Sequence, residues 1–327
     1  MNPGSQVTTG TVTSATGGTG AGVVSFTVNG TNVGRSEATG TFSVGFHVPG
    51  VNRTVLTADG FVTRETGIRA PASGVSLTLI PTALDLSAFN QMFRHAPASG
   101  ASQALTRWTE APALVIERRV LQFTDVSAGS YVALDETLTE AEVTSIITDM
   151  TEGYARLTGG LLGPLRSVTS RTSAPGATVA VDEPGRIIVT RQVGLTSRSS
   201  YWGYARWSTT PDGAVTRGFI ILDRDFEQTN SPFAEYHASL RMHELGHTLG
   251  AQHVSGRDSV MNQNARIEPN DFDRNAGRIA HLRPVGNRAP DIDPSGYTAA
   301  TLTGSAKDIW HGAGAGAPDN RTHKEPE

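Results

Sequence analysis

The stretch HELGHTLGAQH, residues 243 to 253, forces a bend on any fold that uses it. Three of the chain's nine histidines fall here, at gaps of four and six. Upstream, Ser231 followed by Pro232 reads as an N-cap and a first helical position, and the pattern then runs unbroken to Gly250, which predicts one helix. At about 100° per residue, His243 and His247 share a face of that helix. Ala238, Met242, Leu245 and Leu249 lie about half a turn away, toward a core. Glycine takes positive φ at little cost, so Gly250 is where the chain can turn sharply. A helix that continued would carry residue 253 more than one turn beyond His247. A chain that doubles back returns His253 to its two neighbours.

The chain has no cysteine, which removes disulfides, thiolate metal sites and cysteine nucleophiles together. Three neutral imidazoles without a thiolate favour zinc at about 2.0 to 2.1 Å, with a fourth position left open to water. Glu244 falls beside the histidine face, in reach of that water without becoming a ligand. A structural zinc site would instead close with four protein ligands and needs no adjacent base.

HELGHTLGAQH resembles the metzincin pattern HExxHxxGxxH, and SVMN, with Met261 eight residues after His253, is similar to that clan's Met-turn. The resemblance covers roughly residues 107 to 290. It implies a zinc endopeptidase with His243, His247 and His253 as ligands, Glu244 as general base and Met261 packed beneath the metal. Val254 stands where the astacin, reprolysin and matrixin groups typically carry Glu, Asp and Ser, so the subfamily stays open, matrixin-like being the nearest. SVMN also lacks the tyrosine that astacins and serralysins place after the methionine, and no tyrosine ligand is assigned. In the family's terms YWGYARW, residues 201 to 207, takes the place of the cleft's upper edge strand. Tyr204, Ala205 and Arg206 become candidate substrate-binding residues, although an aromatic core cluster explains the segment equally well.

Residues 1 to 80 read as a small β-sandwich accessory domain. Runs with a period of two, Val23 to Val28, Thr41 to Phe46, Thr54 to Phe61 and Val75 to Ile80, are separated by turn residues such as NG, PG and DG. This order resembles the transthyretin-like, carboxypeptidase-regulatory type of domain. Residues 81 to 106 read as a linker that contains a short helix at Leu86 to Phe93 and the stretch PASGAS. Residues 107 to 290 form the expected α+β metzincin-like domain with a twisted mixed sheet, and 291 to 327 a wrapped or disordered tail. Within the domain, Thr137 and Glu140 suggest a capping box. The following helix carries Val143, Ile146, Ile147, Met150 and Tyr154 on one face. Strands are expected from Ala113, Ala177, Arg186 and Ala214, and a last helix from Asn270 or Asp271.

The 27 basic residues form no run and the net charge is −4, so neither a nucleic-acid groove nor a basic membrane patch is expected. No segment approaches the roughly 18 apolar residues of a membrane span. A secreted, extracellular monomer acting on a protein or peptide substrate is the expectation, with any signal segment outside this sequence. Asp223 with Asp225, and Asp291 with Asp293, are possible calcium ligands, though close aspartates more often cap loops. His237 and His281 read as surface or satisfied histidines sooner than as groups behind the metal site. A different class of function, an adhesin or matrix-binding protein with a structural zinc, competes with the enzyme, as does a peptidase kept latent by its N-terminal segment.

Overall fold

The computed structural model describes residues 6–95, 103–125, 130–195, 201–228, 231–264 and 266–299. PASGAS and residues 300 to 327 lie outside the described residues. The molecule is α+β, built on a sandwich and a mixed sheet.

The sandwich is formed by β1 (Gln6–Ser14), β2 (Ser25–Val28), β3 (Thr31–Arg35), β4 (Thr41–Phe46), β5 (Gly50–Thr57), β6 (Arg64–Ala70) and β7 (Ala72–Leu79). One sheet has the order β4-β1-β7 and the other β3-β2-β5-β6. Their inner faces bury Val12, Phe26, Phe42, Val44, Phe46, Leu56, Ile68 and Leu77. Strands β1, β3 and β6 escape the period-two reading, because glycine, asparagine and arginine interrupt their alternation.

The larger sheet has the order β10-β8-β11-β13-β12, from β8 (Ala113–Asp125), β10 (Ser167–Arg171), β11 (Arg186–Gln192), β12 (Gly203–Thr209) and β13 (Val215–Asp223), and β9 (Ser130–Thr137) pairs with β8. The neighbours from β10 to β13 run parallel, while β12 is antiparallel to β13 and forms an edge. Both faces of β11 and β13 are covered. Ile187, Val189, Ile220 and Leu222 face the helices, and Ile188, Phe219 and Ile221 face the opposite cluster around Tyr131. The expected strand from Ala177 does not form: a single bridge joins Thr178 to Val132, and the chain there passes as a loop over the outer face.

Helix α1 (Leu86–Phe93) matches its predicted span. Helix α2 (Glu140–Leu157) starts two residues later than expected, with Thr139 and Glu142 forming the capping box. Thr137 and Glu140 offer the same spacing, but Thr137 is held in β9 opposite Arg119. The metal-motif helix α3 (His237–Thr248) is shorter than its predicted span. Residues 234 to 236 form a 3₁₀ turn instead, closed by Tyr236 N–H to Phe233 C=O at 2.9 Å, and Phe233 packs on Trp202 with centroids 4.9 Å apart. Helix α4 (Asp271–His281) is capped by Asn270.

The boundaries expected at residues 81 and 291 are bridged by buried contacts. Phe89, Met92 and Phe93 of α1 join the main core, as do Ala15 and Ile80 of the sandwich. Tyr297 and Ala299 complete the sandwich core, and Asp293 N–H donates to Glu65 C=O at 2.9 Å. Asp293 receives Arg64 at 2.7 Å, and Asp291 receives Arg283 through two bonds of 2.7 Å. Burial opposes the charge on Asp291, but Arg283, Arg64 and Arg94 outweigh it and hold its carboxyl below the usual range. These two aspartates pair with buried arginines. Asp223 caps a turn, accepting the N–H groups of Asp225 and Phe226 at 3.0 Å each. Stripping one partner from a buried pair costs about 3 to 5 kcal/mol. A fragment ending near Pro81 loses Asp293 and Tyr297, and one starting near residue 103 loses α1. Neither is expected to keep the sharp thermal melt of the full chain, and circular dichroism melts of both would check this. Full-chain cooperativity in either fragment would show the interface to be dispensable.

Candidate metal centre

Helix α3 delivers the first two histidines because i and i+4 positions stack on one face. Its end follows from Gly250, whose φ is 97°. Gly250 N–H bonds to His247 C=O at 2.9 Å and Ala251 N–H to Gly246 C=O at 3.0 Å. This is the paired pattern that closes a helix through a left-handed residue. The returning segment is pinned from α1, since Gln252 N–H donates to Met92 C=O at 2.8 Å. His253 thereby comes back to the helix.

The three Nε2 atoms converge. His243 and His247 stand 3.1 Å apart, and His253 is 3.2 Å from each. His243 Nδ1 donates to Val260 C=O at 2.7 Å, and His247 Nδ1 to Ala251 C=O at 2.9 Å, which leaves Nε2 as a lone pair on both rings. Burial pushes His243 down to about 4 and His247 well below its ordinary range, the latter with a further contribution from the two neighbouring rings. Two neutral rings of this tautomer have no proton to share at 3.1 Å, so their lone pairs oppose each other. A cation between them relieves that opposition. Tetrahedral coordination at about 2.0 to 2.1 Å sets donor nitrogens ~3.3 Å apart, close to the observed separations. His243, His247 and His253 can therefore hold a metal ion. The group of donors found among the described residues consists of these three imidazoles.

Beneath the ring cluster runs the turn of Ser259 to Asn262. Met261 is fully buried, and its sulfur occupies the notch left by Gly246, where any side chain would collide with it. Val260 supplies the carbonyl that orients His243, and this turn is in turn held by Asp273 of α4. The carboxylate of Asp273 accepts Ser259 Oγ at 2.5 Å and Val260 N–H at 3.0 Å. Met261→Leu nearly conserves volume and is expected to cost less than about 1.5 kcal/mol, with the metal still bound. Metal analysis and a melt of this variant test it, and complete loss of metal would mean that the sulfur is a ligand.

Two side-chain groups escape a reading by motif. Trp207 of β12 stacks on His247 at 5.9 Å with rings 6° from parallel. Arg241, buried on α3, is gripped by Glu227 at 2.5 Å and by Asp149 of α2 at 2.6 Å, which fixes the rotation of the helix. Burial of Arg241 opposes its charge, but these carboxylates raise its pKa. A charged residue two positions before the histidine motif was the available sequence signal.

Of the candidate substrate residues, only Ala205 packs on the helix side of the sheet. Tyr204 packs into the cluster on the opposite face, and Arg206 acts electrostatically on Tyr131 there. Strand alternation puts Gly203, Ala205 and Trp207 toward α3 and sends the other two away. His237 Nε2 meets Phe226 C=O at 2.7 Å, and His281 is buried, its pKa lowered by desolvation and by Arg107 to about 3. Neither belongs to the metal group. Comparison with protein-family models and with curated proteins returns no match.

Proposed function

We propose that the protein is a zinc-dependent endopeptidase of metzincin type, matrixin-like in its nearest likeness. The observation that carries this reading is the convergence of three lone-pair nitrogens at 3.1 to 3.2 Å with a buried glutamate next in sequence to the first of them. His243, His247 and His253 would hold the metal. When bound, zinc supplies Lewis acidity toward a water and toward a carbonyl oxygen.

The remaining chemistry belongs to the chain. Glu244 accepts a proton from the attacking water and returns it to the leaving amine, as a carboxylate held against the reacting atoms can. The edge strand β12 would receive an extended peptide as an added strand, which aligns the scissile bond along the cleft. Trp207 holds His247 in plane, and Val260 and Ala251 keep two rings in the coordinating tautomer. Secretion accords with the absence of cysteine and is part of the same proposal. No helix among the described residues is long and apolar enough to cross a membrane.

A structural zinc in a binding protein is the competing class. Three protein donors and an adjacent buried carboxylate favour the enzyme. The test is digestion of a peptide library by the zinc-loaded chain, by the chelated chain and after zinc is restored. Cleavage that disappears and returns with the metal supports the proposal, and absence of cleavage in all three sinks it.

A further inference from the structure

Strand β12 presents three residues to α3, and they grade in size: no side chain at Gly203, a methyl at Ala205 and an indole at Trp207. Trp207 lies on the metal-motif ring of His247. Gly203 lies on Glu244. A Cβ built at residue 203 would stand 2.5 Å from Glu244 Oε1, 2.8 Å from its Cγ and 2.9 Å from its Cδ. Carbon contacts rest at about 3.5 to 4.0 Å, so the outer half of the glutamate fills the space that a side chain at 203 would need.

The backbone has little room to yield. Gly203 pairs with Leu222 of β13, and Asp223 N–H donates to Trp202 C=O at 2.8 Å. Glu244 is only 5% exposed, wedged between strand and helix. The flexible end of the glutamate is the part that can move. Relief of the overlap at this point shifts the Glu244 carboxylate from its pose under β12.

We propose that Gly203 is a positioning residue: the missing side chain sets the pose of the Glu244 carboxylate. This rests on the reading of Glu244 as the base. A misplacement on the order of 1 Å can cost about 10²-fold in rate. Gly203→Ala in the full chain is therefore expected to keep one zinc and to lower kcat about 10²-fold, with KM changed less than about threefold. In a Glu244→Gln background the same substitution should change the residual rate less than about threefold, because the group through which it acts is already gone. Equal losses in both backgrounds, or an undiminished kcat, would overturn the proposal.

Two readouts do not need peptide hydrolysis. In cobalt(II)-loaded protein, Gly203→Ala should shift the visible bands as Glu244→Gln does, and unchanged bands would overturn the positioning role. If Gly203→Ala melts early, the substitution should be neutral in a Glu244→Ala background, where the methyl has room. Equal destabilisation in both backgrounds would show that the glycine serves the strand alone. A chain that binds zinc but cleaves nothing would instead overturn the peptidase reading, and the cobalt spectra would still decide on Gly203.

Discussion

Glu244→Ala is expected to retain about one zinc per chain and to lose peptide hydrolysis by roughly 10² to 10⁴-fold, the usual weight of an acid-base group. The separation follows from position. Glu244 is adjacent to His243 in sequence but outside the group of three converging donors, and its carboxylate lies under β12 at Gly203. Removing it leaves the three Nε2 atoms and their orienting carbonyls in place. Zinc content by elemental analysis, alongside rates on one small peptide, measures both halves. An undiminished rate would remove Glu244 from the chemistry, and loss of zinc would make it a ligand.

His253→Ala is expected to act in the opposite order, on the metal first. Two imidazoles from α3 remain, 3.1 Å apart, and cannot enclose an ion alone. Loss of an outer partner already costs 10- to 100-fold in metal affinity. Loss of a ligand should exceed that, and hydrolysis should fall with occupancy. His253 is only partly buried and sits outside any helix or strand, so the fold should tolerate the change. Competition with a coloured chelator gives the affinity, and a melt of the metal-free protein gives the fold. Full, tight zinc in this variant would mean that another residue is the third donor.

The sequence by itself determined whatever depends on spacing along one element. The i, i+4 pair His243 and His247, the stop at Gly250 and the cap at Asn270 appear where they were expected, because helical periodicity and positive φ are local constraints. The span of α1 was legible for the same reason. Even local rules blurred where two registers competed, as at Thr137 and Thr139, and there strand pairing chose.

Tertiary structure decided the rest. A period of two shows that Gly203, Ala205 and Trp207 share a face, but not that this face meets α3 while Tyr204 packs into the opposite cluster. The hold of Asp273 on the Val260 turn joins α4 to His243, and α1 reaches the segment of His253 through Met92 and Gln252. Arg64 and Asp293 are 229 positions apart, yet share a buried pair. Such partners carry no mutual signal along the chain, since each is stabilised only by the desolvated neighbour that packing brings to it.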